Sequence, residues 1–319
     1  MTSWPALVVD LGGTNVRLGL VDGPDAEPRD IKERRLSEGG DFETAIGTYL
    51  KEAGACIATA SLAVAGPVVG DKVEPSNSTW HFSIADLKRA FGFERLVVLN
   101  DFHALALALP RLGDFDLMPI GGGVAVTDGP RVVVGPGTGY GTAALIRHRG
   151  EWIPVASEAG QASFAPQDEI EAEITAIIGR SGGRSGRVTI EHVVCGPGLL
   201  AIECALAEIA GTVSTRARPE EVAEAATAGD PRAAQALDIF FATLGSVAGD
   251  AAMTFCATGG VYLAGGILPQ LVGPLLASRF RARFEDKAPL ADLARSIPTA
   301  LITRPYPGLL GAAAALRNS

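Results

Sequence analysis

Near the start of the chain two apolar runs, Leu7 to Val9 and Val16 to Val21, flank a polar centre that holds Asp10, Gly12, Gly13, Thr14 and Asn15. Short β-rich runs on either side of a glycine pair predict strand, tight turn and strand, which is a hairpin. Glycines in such a turn can take positive φ and carry no Cβ, so backbone N–H groups can come close to an anion, and Thr14 and Asn15 add side-chain donors. The phrase returns between Val132 and Ile146, with Gly137, Thr138 and Gly139 at its centre. A single turn of this kind in a chain with 39 glycines is more often a turn and nothing else. Its recurrence in the second half favours two phosphate-holding hairpins, one in each of two related lobes. Neither copy continues into the Gly-Lys-Ser/Thr of a P-loop, and neither opens directly into a helical pattern, so the dinucleotide fingerprint fits badly.

Elsewhere the apolar spacing predicts helices from Phe42 to Ala53, Ile84 to Phe91, Phe102 to Leu109, Gln167 to Gly179, Leu199 to Ile209, Pro219 to Ala226, Arg232 to Cys256 and Leu309 to Leu316. Within the long apolar helix, Gly245 and Gly249 lie four apart and mark close helix packing. A buried strand is expected from Cys56 to Ala65. A second apolar run from Leu96 to Leu99 has the composition of a strand inside a parallel sheet, and Gly259 to Ile267 predicts a strand closing on Gly265 and Gly266. Val68 to Val73 predicts a small hairpin about Gly70-Asp71, residues 24–40 a further strand and loop, and residues 181–187 a Gly/Ser/Arg loop. Asp101 falls where a parallel strand gives way to a helix, the end at which open α/β sheets bind ligands. Glu158 stands in a small-residue loop, Ser157 to Pro166, and reads either as a solvated turn residue or as an acceptor for a ligand.

Composition narrows the class. With 319 residues and 47% hydrophobic content the chain can form a core in each of about two domains. A formal charge of −9 and a pI near 5.0 argue against nucleic acid or anionic membrane as partners, both of which need a basic footprint. Small molecules remain. Cys56, Cys195, Cys204 and Cys256 form no Cys-x-x-Cys pair and sit in apolar or helical surroundings, which predicts buried free thiols and a reducing cytoplasm. No secretory pattern opens the sequence and no run reaches the ~18 apolar residues of a membrane span, so the expectation is a soluble cytoplasmic protein.

Asp10-Leu-Gly-Gly-Thr-Asn, Leu99-Asn-Asp-Phe, Gly135-Pro-Gly-Thr-Gly, Glu158-Ala-Gly, Glu191-His-Val-Val-Cys-Gly-Pro-Gly and Leu263-Ala-Gly-Gly-Ile-Leu-Pro follow one another along the chain. In this order they resemble the bacterial glucokinases of the hexokinase/actin-like ATPase superfamily, as do Phe284-Glu-Asp-Lys and Pro307-Gly-Leu-Leu-Gly near the end. The resemblance covers essentially the whole chain. It implies an α/β, two-lobed actin-like (ribonuclease H-like) fold with the active site in the interdomain cleft. The expected division is a small domain over residues 1–110, completed by a helix at about 305–319, and a large domain over 111–304.

The activity implied is ATP-dependent phosphorylation of the glucose 6-hydroxyl, with Mg²⁺. Asp101 would be the general base, taking the proton of a weakly nucleophilic hydroxyl as the phosphoryl group arrives. Asn77, Asn100, Asp101, Glu158, Gln161 and Glu191 would hold the sugar. Gly12, Gly13, Thr14 and Asn15 would hold phosphate from one lobe and Gly137, Thr138 and Gly139 from the other, with Gly265 and Gly266 also at the nucleotide. Asp10 would orient Mg²⁺ through water. Dimerisation is common in the family, and the resemblance leaves a homodimer open here without fixing the oligomeric state.

Two departures bear on specificity. Gln161 stands where the family usually has a histidine, which keeps open a kinase for another hexose or an amino sugar. The Cys-rich zinc motif of the related repressor/ORF/kinase group is absent, and so is any DNA-binding segment ahead of Ala6, which places the chain nearer the zinc-free glucokinases. A sugar-binding regulator without turnover is the remaining alternative, and the intact Asp101 speaks against it.

Overall fold

A computed structural model describes residues 2–38, 40–75, 80–181 and 186–317. Contacts divide the chain into two compact units, one of residues 1–116, 143–156 and 304–319 and the other of residues 117–142 and 157–303.

The first unit opens with β1 (Ala6–Leu11), β2 (Asn15–Val21) and β3 (Arg29–Arg35), followed by α1 (Phe42–Ala53) and β4 (Thr59–Val64). Two-residue strands β5 (Lys72–Val73) and β6 (Phe82–Ser83) precede α2 (Ile84–Phe91), β7 (Arg95–Asn100) and α3 (Asp101–Ala108). The main sheet runs β3-β2-β1-β4-β7. β1 is antiparallel to β2 and parallel to β4, and β4 is parallel to β7. The opening hairpin therefore forms as its pattern predicts, and all six residues of β4 are buried. Phe42, Ile46 and Tyr49 on one face of α1 pack on the sheet with Leu7, Val9, Leu62 and Val64.

Two expectations fail here. The hairpin expected within Val68 to Val73 does not form, because Lys72 and Val73 pair instead with Ser83 and Phe82. The Phe82 ring packs tilted against Phe42, centroids 4.6 Å apart, while Val69 remains 81% exposed, so burial of the aromatic decides the pairing. The apolar run Leu96 to Leu99 does form a parallel strand, but β7 lies at the end of the sheet and is only half-buried. An apolar run of that length does not distinguish central from edge position. The loop predicted at 181–187 lies partly outside the described residues, since 182–185 are not among them.

The second unit begins with β8 (Leu117–Gly121), β9 (Arg131–Pro136) and the start of β10 (Tyr140–His148), the rest of β10 and nearly all of β11 (Glu151–Ser157) being counted with the first unit. Helices α4 (Glu169–Arg180), α5 (Ile190–Val193), α6 (Gly196–Ile209), α7 (Pro219–Thr227) and α8 (Pro231–Phe255) lead to β12 (Val261–Leu263). After it come α9 (Val272–Ala277), α10 (Phe280–Glu285), α11 (Ala291–Ser296) and β13 (Thr299–Ile302). β12 lies between β9 and β13, parallel to both, and β13 is antiparallel to β8. α8 is long and apolar enough to cross a membrane, yet 78% of its apolar window is buried in the fold. Its two glycines make the close packing expected of them. A Cβ on Gly245 would stand 2.1 Å from the carbonyl oxygen of Phe280, and one on Gly249 2.6 Å from that of Phe284, so α10 lies directly on the α8 backbone.

All four cysteines are free, but only Cys195 is buried. It is the residue before α6, where its Sγ accepts the Gly198 N–H, and burial pushes its thiol up to about 11. Cys56, Cys204 and Cys256 are exposed. Apolar neighbours in sequence failed to signal burial for these three, because Cys204 takes an outward position on α6 and Cys256 ends α8 in a left-handed turn.

The C-terminal helix α12 (Pro307–Ala315) belongs to the first unit. It crosses α3 closely: a Cβ on Gly311 would lie 1.8 Å from the carbonyl oxygen of Ala104.

Candidate functional site

In the first unit the parallel strands set the level of the candidate residues. Asp10 pairs with Ala63, and Ala63 with Leu99, while Leu11 pairs with Val64, and Val64 with Asn100. Asp10 and the Asn100-Asp101 pair thus stand at the carboxyl end of one sheet, with β4 between their strands. Asn100 caps α3. Its Oδ1 accepts the N–H groups of Phe102 at 2.9 Å and His103 at 3.1 Å, and its Nδ2 donates to the Gly66 carbonyl at 3.1 Å. Much of its capacity therefore fixes the strand-to-helix turn. Asp101 is the first residue of α3, partly exposed, with Oδ1 accepting the Phe102 N–H at 2.9 Å.

Asp10 is nearly buried, at 15% side-chain exposure. Burial raises its carboxyl above the ordinary carboxylate range, and Arg17 opposes the shift with an Nη1 contact 3.3 Å from Oδ2. Arg17 also holds Glu33 at 2.9 Å and lies over the Tyr306 ring, whose hydroxyl donates to Glu33. Tyr306 reaches this place from a left-handed backbone, φ 53°, uncommon for a bulky residue. The next helix turn comes so close that a Cβ on Gly308 would stand 2.8 Å from the Asp10 carboxyl carbon. Sequence reasoning assigned no role to Arg17, although the hairpin register contains the signal. Asp10 and Arg17 are directly opposed cross-strand partners, which puts the opposite charges on one face.

The first Gly/Thr turn is closed by the Gly12 N–H on the Asn15 carbonyl at 3.0 Å, and Thr14 is exposed at its tip. Gly12 does not take the left-handed conformation that the sequence reading allowed for. In the second turn a different constraint operates. A Cβ on Gly139 would lie 2.5 Å from Oε2 of Glu191, so glycine is required for the approach of that carboxylate.

Glu191 organises the candidate residues of the second unit. Its Oε2 accepts the Tyr140 N–H at 2.9 Å, and its Oε1 accepts from Nε2 of Gln161 at 3.3 Å. Gln161 lies on a short 3-10 turn, Ala159–Gln161, closed by its own N–H on the Glu158 carbonyl at 3.0 Å. Glu158 is exposed, and desolvation together with the negative charge of Glu191 raises its carboxyl above the ordinary range. The Gly137 carbonyl accepts the Gly196 N–H at the start of α6, at 2.9 Å, while Thr138 is exposed. Gly265 does need a left-handed backbone, φ 101°, and a Cβ there would meet the Pro136 carbonyl at 2.3 Å. Gly266 beside it is exposed.

The structure thus joins Gly139, Tyr140, Gln161 and Glu191 in one cluster, with Glu158 next to it and Gly265 against the same hairpin. Asn77 lies outside the described residues.

Parallel-centred sheets, a Gly/Thr hairpin in each unit and a sugar-suited cluster of carboxylates and amide describe a sugar kinase. The glucokinase solved from an Antarctic psychrotroph shares this fold with a TM-score of 0.86 at 34% identity, covering 99% of both chains. The glucokinase of Balamuthia mandrillaris, solved in complex with glucose, matches the fold at a TM-score of 0.79 and 20% identity, covering 98% of this chain and 93% of that one. The sequence is more specific still: the glucokinase family model matches residues 7–319, and the glucokinase of Chromohalobacter salexigens is 43% identical over 315 residues, 98% of each chain. The chain belongs to the glucokinase family.

Proposed function

We propose that this enzyme transfers the γ-phosphoryl group of ATP to the 6-hydroxyl of glucose, with Asp101 as general base. The match of the glucokinase family model over residues 7–319 carries the reaction type. The residue roles are supported by motif and place. A carboxylate at the first position of α3 can accept the hydroxyl proton, and the Asn100 cap holds the start of the helix in place while it does so. Glu158, Gln161 and Glu191 offer acceptors and a donor to the remaining hydroxyls, and Asn77 and Asn100 belong to the same proposed set. Sequestering those hydroxyls in fixed hydrogen bonds is what sets one sugar apart from another, since a polar partner left unpaired costs ~1–3 kcal/mol.

In this reading the turns at Gly12 to Asn15 and Gly137 to Gly139 bind phosphate through backbone N–H groups and the exposed Thr14 and Thr138, with Gly265 and Gly266 beside the nucleotide. Asp10, whose Oδ2 faces Arg17 Nη1 at 3.3 Å, would orient Mg²⁺ through water. A lone carboxylate suits an ion that keeps most of its waters and is otherwise held by phosphates. When bound, Mg²⁺ would offset charge on the transferring phosphates. The division into a domain over residues 1–110 with about 305–319, and one over 111–304, is our proposed functional division, and cytoplasmic location and a homodimer complete the reading.

A coupled ADP-release assay across glucose, other hexoses and amino sugars tests it. Glucose is expected to have the highest kcat/KM; a higher value for another sugar would reassign the substrate, and no turnover with any sugar would remove the enzyme reading.

A further inference from the structure

We propose that Arg187 is a positioning residue for sugar recognition, setting the angle of the turn that carries Gln161. The proposal rests on the reading of Gln161 and Glu191 as sugar contacts. The segment 161–164 runs beside the segment 187–190. The Phe164 N–H donates to the Val188 carbonyl at 2.9 Å, Ser163 bridges to Thr189, and the Ile190 N–H donates to the Ala162 carbonyl at 3.0 Å. These backbone contacts stop at Ala162. Gln161, one residue further, is tied at its main chain by Nη2 of Arg187, which donates to its carbonyl, while Nε of the same guanidinium donates to Oγ of Ser163 at 3.3 Å.

The chemistry of the fork explains why arginine occupies this position. Its donors have a fixed mutual angle, so one side chain sets a carbonyl and a hydroxyl two residues apart in a single plane. With the Gln161 carbonyl held, Nε2 of Gln161 is directed to Oε1 of Glu191. Without that tie the 3-10 turn keeps its internal bond to Glu158 but can pivot about Ala162, and the amide loses its aim. Arg187 is exposed and belongs to neither phosphate turn, so its effect should fall on the sugar and not on the nucleotide or the chemical step.

The experiment compares Arg187→Ala, Arg187→Lys, Gln161→Ala and the Arg187→Ala/Gln161→Ala double variant, with kcat and separate KM values for glucose and ATP. Arg187→Ala is expected to raise the glucose KM about fivefold, in line with the loss of one hydrogen bond, and to leave kcat and the ATP KM within about twofold. Arg187→Lys should recover part of the loss, since one ammonium donor can still reach the carbonyl. The double variant should be no worse than Gln161→Ala, the non-additivity of two residues acting through one contact. An unchanged glucose KM in Arg187→Ala, beside a raised one in Gln161→Ala, overturns the proposal and leaves the sugar site standing. If neither variant moves the glucose KM, the assignment of Gln161 to the sugar fails and the proposal with it. A fall in kcat with both KM values disturbed, or additive losses in the double variant, would reduce Arg187 to a structural tie and also overturn it.

Discussion

Gln161 and Glu191, thirty positions apart, meet through the Gln161 amide donating to Oε1 of Glu191 at 3.3 Å, while Oε2 of the same carboxylate takes the Tyr140 N–H. The amide thus arrives at a carboxylate already fixed by the hairpin. Glutamine supplies a donor and an acceptor to a hydroxyl but cannot become cationic at pH 6 to 7 as a histidine does. Truncation to Gln161→Ala should raise the glucose KM roughly tenfold, as for a lost hydrogen bond of ~1–2 kcal/mol, with kcat within a few-fold. Gln161→His should remain active. Steady-state kinetics on folded protein decide, and an unchanged KM for every hexose would make the residue a loop amide only.

Asp101→Asn keeps the shape and one acceptor but cannot take a proton. We expect kcat to fall by ~10²-fold or more while glucose still binds. Turnover and calorimetric glucose binding on the same sample check this; near-normal kcat would remove Asp101 as the base.

Acid should weaken sugar binding before it reaches the ordinary carboxylate range. Desolvation and the nearby Glu191 charge both raise the Glu158 carboxyl, so as pH falls Glu158 is protonated earlier than an isolated glutamate and loses acceptor capacity. The glucose KM is expected to climb on the acidic side, and Glu158→Gln should show a higher but flatter profile. Parallel profiles for the two proteins would count against Glu158 at the sugar.

Gly139→Ala brings a Cβ to 2.5 Å from Oε2 of Glu191. Although the change lies in a proposed phosphate turn, the displaced group is a proposed sugar acceptor, so the glucose KM should rise by about tenfold or more, the scale of overpacking strain of ~1–3 kcal/mol. An effect confined to the ATP KM would show that the carboxylate moves aside without consequence.

Gly245→Ala tests stability away from the site. The added methyl would collide with the Phe280 carbonyl, and because backbone cannot rotate away, a loss of ~1–3 kcal/mol is expected. Denaturant unfolding measures it, with kcat of the remaining folded enzyme near normal.

What could be read from residues alone follows a physical division. The β1–β2 hairpin, the α8 glycines and the place of Asp101 were legible because period, glycine spacing and strand-to-helix order are local properties of the chain. The pairing of Lys72-Val73 with Phe82-Ser83 was not, because it is decided by an aromatic contact with Phe42 from another element. The bond from Tyr140 to Glu191 spans 51 positions, and no local pattern encodes it. Arg17 lies between these cases: its pairing with Asp10 is derivable once the hairpin register is drawn, whereas the Tyr306 ring above it comes from the far end of the chain.

That far end sets an order of events during synthesis. The crossing of Gly311 on Ala104 means that the helix beginning with Asp101 lacks its backing until the segment Pro307–Ala315 has left the ribosome. Domains otherwise tend to mature from the N-terminus onward as they emerge. Here an early sheet and its helix α3 wait for a late helix, so the proposed base gains its backing only once α12 has been made.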